Sequence, residues 1–418
     1  MRVGETRTLP VNKKNTDDFV LSVNPSSDSD CVKKGDNAVT CSPTTAGTYA
    51  ITVAVSVNEA IKQTVNLLVN PALPYSPHVT QMAAGGEYAI ALISDGSLWA
   101  WGRNPPGLWG ENITVDRETP RRLTDDTDWA RIAAGYDHII ALKTDGSLWA
   151  WGYNIFGQLG DSTNISGNTL TRIGNDTDWM DISGGMHHTV ALKKNGSLWA
   201  WGRNYSGQLG DGTNVDRYTP RRIGTDTNWA QIAAGGSNTF AIKKDGSLWA
   251  WGNNATGQLG DGTNVDRNTP TRIGKDTDWM QISTKVLHTI ALKNNGILWA
   301  WGGNYYGQLG DGTNINRNTP TRIGTDTNWV QIAAGTGHTA ALKDDGSLWA
   351  WGFNGAGQLG DGTHISRNTP EQIGSDANWA LAAANFYSTI ALNNDGNIWT
   401  WGDIDDIPGP TPAQVDAF

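Results

Sequence analysis

Leu348-Trp349-Ala350-Trp351-Gly352 decides the fold, because it does not stand alone. Trp-Ala-Trp-Gly begins at Trp99, Trp149, Trp199, Trp249, Trp299 and Trp349, and Trp-Thr-Trp-Gly at Trp399, always 50 residues apart. Trp129, Trp179, Trp229, Trp279, Trp329 and Trp379 keep the same period, and only Trp109 stands outside it. A period of this length marks an array of supersecondary units. Within one unit, Gln331 to Ala334, Thr339 to Lys343, Ser347 to Trp351 and Pro320 to Ile323 are short apolar or alternating runs. Asp345-Gly346 is a good hairpin turn between two of them. No run repeats at i, i+3, i+4, i+7, so helix is disfavoured. Four short strands, repeated seven times, describe an all-β, seven-bladed β-propeller.

Side chains alternate along a strand, so both indoles of Leu98-Trp99-Ala100-Trp101 project to one face. A single blade cannot bury that face, and stacking on the next blade can. The periodic tryptophans are therefore expected to form the core between blades. The last copy drops the Gly-Gln-Leu-Gly-Asp-Gly-Thr-Asn stretch yet keeps Thr411 to Val415 as a fourth strand. Whether that strand completes its own blade or the first one depends on where blades are cut, which the repeat leaves open.

Three blocks, Ala333 to Leu342, Asp345 to Gly352 and Asn354 to Gly360, resemble the regulator-of-chromosome-condensation repeat, specifically its bacterial branch. The resemblance implies a seven-bladed propeller over residues 79–418. Some relatives exchange nucleotide on a small GTPase through an inserted wedge. Six copies of equal length and a shorter seventh leave no such insertion here.

Residues 1–72 lack the repeat. Phe19 to Val23, Gly47 to Val57 and Lys62 to Asn70 alternate and read as strands. Ala46-Gly47-Thr48-Tyr49 resembles the late hairpin of bacterial immunoglobulin-like domains, which are short β-sandwiches. Residues 73–78, with Pro74 and Pro77, read as a stiff linker. Cys31 and Cys41 flank a hairpin-like stretch, and their spacing suits a cross-strand disulfide. An immunoglobulin-like module with a disulfide implies export. The expected location is extracellular or at the cell surface, although Met1 to Glu5 does not open a signal peptide.

Composition excludes other classes. The chain has 418 residues, 51 Gly and 21 Trp, but 2 Cys and only 17% charged residues. Glycine follows no three-residue period, which excludes collagen. Abundant indoles exclude a long disordered chain. No apolar run reaches membrane-spanning length. Residues 1–78 carry seven basic and seven acidic groups, so the net charge of −10 sits on the propeller. An acidic domain is a poor partner for nucleic acid or an anionic membrane.

Catalytic chemistry finds no purchase. His138, His188, His288 and His338 share one repeat position with Tyr88, Asn238 and Ser388, which is not how a metal-ligand slot behaves. The Asp-Gly-Thr-Asn loops lack the spaced carboxylates of a calcium loop and read as turns satisfied by their own side chains. No nucleophile triad, phosphate loop or zinc motif appears. The expectation is a monomer without cofactor, metal or enzymatic activity.

The copies differ mainly in two windows, after the first strand and after the third. Turns of an antiparallel meander alternate ends. Both windows should therefore share one face of the disc, with the constant turns on the other. That face would collect Tyr88, Trp109, Tyr136, Tyr153, Phe156, Met186, Tyr205, Lys285, Tyr305, Tyr306, Phe353, Phe386 and Tyr387. Aromatic residues and Met characterise interface cores. The expected function is a binding module that presents this face to a protein partner, with an inhibitor of a secreted enzyme as its most specific form. That form resembles the β-lactamase-inhibitor member of the architecture. A carbohydrate-binding propeller and, after it, a polysaccharide-acting enzyme are the alternatives.

Overall fold

Residues 129–172 show how one repeat becomes one blade. Trp129–Ala134, His138–Lys143, Leu148–Gly152 and Gly167–Arg172 form a four-stranded antiparallel meander in chain order. Its central hairpin closes at Asp145-Gly146. Gly146 has φ +81°, and a Cβ there would stand 2.2 Å from the Thr177 carbonyl oxygen of the next repeat. Only glycine meets both demands. The register shifts between Trp129 and Arg131 and again between Ala150 and Gly152. Such bulges increase the twist of a blade.

The computed structural model describes six strands between residues 7 and 69, and residues 78–418 except 105–107, 109–115, 404–408 and 416–418. The chain forms two compact units, Met1–Pro77 and His78–Phe418. In the first unit the strands make two three-stranded antiparallel sheets. One contains Arg7–Pro10, Ala38–Cys41 and Cys31–Lys33, and the other Phe19–Asn24, Gly47–Val55 and Lys62–Val69. The side chains that would make these sheets an immunoglobulin-like sandwich lie outside the described residues.

The second unit is a seven-bladed propeller, each blade a contiguous stretch of chain. Gly409–Val415 pairs with Ile398–Gly402, so the last strand completes its own blade. No strand is exchanged at closure. Ala89, Ala91, Ile93 and Trp101 of blade one pack instead against Ile390, Leu392, Ile398 and Val415 of blade seven. The first strands lie next to one another around the axis. Gln81 stitches two of them, donating to the Ile132 carbonyl at 2.9 Å and accepting from its N–H at 3.1 Å.

The core lies between blades. Ile140, Leu142, Leu148 and Ile173 of blade two meet Trp179, Ile182 and Trp201 of blade three, and equivalent clusters recur around the ring. The two indoles of each tetrapeptide do not share this role equally. Trp201 is fully buried, and its Nε1–H donates to the Gln158 carbonyl of the preceding blade at 3.0 Å. Trp199, nearer the constant turn, is only part-buried and its Nε1–H donates to Ser197 Oγ. It makes an edge-to-face pair with Trp179, and the Lys193 ammonium stands 4.8 Å from both ring centres. Burial disfavours that charge, but Asp176 and Asp178 hold the Lys193 pKa above its ordinary value.

The repeated histidine completes the joint. Thr189 Oγ1 of blade three donates to the Gln158 carbonyl of blade two at 2.8 Å. Its hydrogen is thereby committed, so it accepts from His138 Nε2 at 3.0 Å, which places the imidazole proton on Nε2. His188, His288 and His338 repeat the arrangement on Thr239, Thr339 and Thr389. Burial pushes the pKa of His138, His188 and His338 down to about 3 and that of His288 to about 4.

Two predictions follow from these joints. Trp251→Ala, at a fully buried indole, should cost roughly 3–5 kcal/mol in denaturant unfolding, as large aromatic core truncations do. Trp249→Ala, at its part-buried neighbour, should cost clearly less, and equal costs would contradict the division of roles. The histidines favour the fold only while neutral. Their folded pKa values lie below the unfolded value near 6.5, so their contribution is complete above about pH 6.5 and is lost as pH falls towards 4 and 3. The melting temperature should drop over that window, and His138→Asn, which installs the blade-four residue, should flatten the drop.

Candidate binding face

The two variable windows meet in every blade. The N–H of the residue after the third strand donates to a carbonyl in the turn after the first strand. These bonds are Arg103 to Glu87, Tyr153 to Asp137, Arg203 to His187, Asn253 to Ser237, Gly303 to Leu287, Phe353 to Gly337 and Asp403 to Tyr387, at 2.7–2.9 Å. Both windows therefore occupy one end of each blade, and the Asp-Gly turns the other.

The expected residues divide by exposure. Tyr205 is 77% exposed, Tyr305 58%, Tyr306 46% and Tyr387 42%. These four project from blades three, five and seven. Tyr136, Tyr153, Phe156, Met186, Lys285, Phe353 and Phe386 are half-buried. Tyr306 packs on Phe353 of the next blade with ring centres 4.7 Å apart. Tyr136 of blade two packs on Phe386 of blade seven at 4.8 Å, reaching across Gly86 of blade one. Trp109 lies outside the described residues.

Tyr88 does not belong to the face. It is fully buried in the slot that holds histidine elsewhere, and its hydroxyl donates to the His138 carbonyl at 2.7 Å, with the Gly135 carbonyl at 3.1 Å. Its position within a variable window hid this, because the window ends where the second strand begins.

Three polar residues of the variable windows were not among the expected contacts. His187 sits between Phe156, 5.1 Å away, and Tyr136, 6.2 Å away. Burial, then the Arg203 guanidinium, pushes its pKa down to about 4. Arg203 in turn covers the Phe156 ring at 4.7 Å. Asp137 is raised to about 6 by burial and then by Glu87, whose carboxylate also pairs with Arg103 at 2.8 Å. Only placement next to a ring or a like charge marks these residues, and both depend on neighbouring blades.

The Asp-Gly-Thr-Asn loops are satisfied by their own side chains and a nearby arginine. Asp211 accepts from the Thr213 N–H and Oγ1 and from Asn204 Nδ2, and pairs with Arg217. Among the described residues no group of three His, Cys, Asp or Glu side chains could hold a metal ion.

Comparison with known proteins fits this geometry. The RCC1-like domain matches residues 45–322, and regulator of chromosome condensation (RCC1) repeats match residues 329–358 and 345–392. The chain belongs to the RCC1-like family. Among solved RCC1-like folds, Prp20p from Saccharomyces cerevisiae shares 22% identity over 76% of this chain and 84% of its own, with a TM-score of 0.68. Human WBSCR16 also shares 22% identity, over 81% of this chain and 92% of its own, with a TM-score of 0.68. At this identity the likeness concerns the fold. The RCC1-like scaffold thus carries, on this chain, a face whose aromatic residues come from its own variable windows.

Proposed function

We propose that this chain is a non-catalytic binding module that holds a protein partner on its variable face and acts outside the cell or at its surface. The observation that carries the reading is that Tyr205, Tyr305, Tyr306 and Tyr387, all well exposed, share the end of the disc where the repeats diverge. Exposed tyrosines on a rigid scaffold supply large contact area at low entropic cost. One relative supports a protein ligand: yeast Prp20p, also called RCC1, binds Gsp1p and histones and has been seen bound to Kap60. A secreted enzyme held in an inhibitory complex is the specific form of this proposal.

The extracellular part rests on the first unit. Cys31 stands directly opposite Cys41 in the antiparallel register of Cys31–Lys33 with Ala38–Cys41. Facing positions are the spacing a cross-strand disulfide needs. Mass spectrometry of the unreduced protein should find the two joined. Free alkylation of both thiols would remove the support for an oxidising compartment.

The partner is to be captured from extracts of neighbouring cells and its affinity measured by calorimetry. Replacing Tyr205 and Tyr306 with Ala should weaken binding by about 2 kcal/mol or more, as at interface hot spots, with melting unchanged. Lys244→Gln, in a constant turn, should leave affinity within experimental scatter. Equal loss from both faces would overturn the one-sided model. Selective retention of a glycan on an array, abolished by the same tyrosine changes, would replace the protein by a carbohydrate.

A further inference from the structure

Blade five breaks rules that the other blades keep. Where it has Lys285, five blades have glycine and blade seven has Asn385. In those six blades this residue donates its N–H to the carbonyl three residues on, from Gly85 to Tyr88 through Asn385 to Ser388, at 2.8–3.0 Å. The glycine is required by the histidine it faces. A Cβ at Gly135 or Gly335 would lie 2.1 or 2.3 Å from the ring of His138 or His338. Blade five keeps His288, so Lys285 displaces the turn, and Thr284 Oγ1 takes over the bond to the His288 carbonyl at 3.2 Å.

A ring of backbone bonds around the axis is interrupted at the same place. Gly86 donates to Tyr136, Tyr136 to Gly185, Met186 to Gly235, Gly236 to Lys285, Thr336 to Asn385 and Phe386 to Gly86. No equivalent bond joins Val286 to blade six among the described residues. A sequence that departs from its local rules without a packing gain marks a functional position.

The departure delivers an ammonium to the axis. Lys285 crosses from blade five to blade one, with Nζ 3.0 Å from the Ala84 carbonyl and 3.4 Å from that of Gly85. An ammonium has three donors, so one remains uncommitted. No described carboxylate pairs with it, and burial alone pushes its pKa down to about 8. Lys285 borders an axial cavity of about 190 Å³, walled mainly by alanines from Ala84 to Ala384. Ser283 lines the same cavity. Its Oγ accepts from the Ala334 N–H at 2.9 Å, and its own hydrogen has no acceptor among the described residues.

We propose that the axial cavity binds a carboxylate on Lys285, carried by a short aliphatic acid or by the end of an extended peptide. One uncompensated positive charge matches one negative charge. The free Lys285 donor and the Ser283 hydroxyl supply hydrogen bonds to its two oxygens. The site rests on the axis and not on the reading of the tyrosine face.

The test is calorimetric titration of the full chain with butyrate, and with a short alanine-rich peptide as free acid and as C-terminal amide. At least one acid should bind saturably at one site. Butyrate binding assigns a small acid, and binding of the peptide acid alone assigns a chain end. Lys285→Met should weaken that binding at least tenfold. Lys285→Gly restores the common turn and should abolish binding while melting at the parental temperature or above. Tyr205→Ala should leave it unchanged, which separates this site from the protein-binding face. Failure of both acids to bind, or equal binding by Lys285→Gly, would overturn the proposal. So would binding of the amide as tightly as the acid.

Discussion

Each blade is a four-stranded sheet with two faces to cover, and among the described residues neighbouring blades cover them. The joint that does so is built around one backbone carbonyl. Gln158 of blade two receives the Trp201 Nε1–H and the Thr189 hydroxyl of blade three, and Thr189 receives His138 of blade two. Apolar packing of Leu148, Ile173 and Trp201 removes water from the same interface. Hydrogen bonds in that dry setting are costly to leave unmade. Three blades depart from histidine at this slot: blade four has Asn238, blade seven Ser388 and blade one Tyr88, whose hydroxyl reaches the next blade directly.

That constraint divides the surface. The turns between the second and third strands touch the next blade's backbone, as Gly146 touches Thr177, and so remain constant. The windows at the opposite end are tied to each other within their own blade by one backbone bond. Their side chains are free to vary without disturbing the joints. Diversity collects there for a mechanical reason, and with it the exposed tyrosines and the ring stacks that link blades two and seven and blades five and six. At closure, side chains of blades one and seven pack across the seam, although the shortened seventh copy lacks the stretch that supplies the receiving carbonyl elsewhere.

Lys285 belongs to a different order of contact. In the sequence it belongs to Ser283 to Leu287, the stretch that departs furthest from the repeat. Its ammonium is nevertheless some 200 residues along the chain from the carbonyls it meets, at Ala84 and Gly85. An unneutralised ammonium beside an alanine-walled cavity lies outside the division between constant joints and variable loops.

The sequence by itself determined what recurs locally. The 50-residue period, the Asp-Gly turns and the alternation of Leu-Trp-Ala-Trp set four strands per blade, seven blades and the face on which the two windows emerge. These depend on backbone periodicity and turn chemistry inside one repeat. Only the tertiary structure decided which indole of each pair is core, because Trp199 and Trp201 share a strand face and differ in distance from the rim. It alone withdrew Tyr88 into the joint, set His187 between the rings of Phe156 and Tyr136, completed the last blade with its own strand and carried Lys285 across the axis. Each of those outcomes depends on a neighbouring or opposite blade. The period states that such a neighbour exists, but the side chain it brings into contact is fixed only when the ring closes.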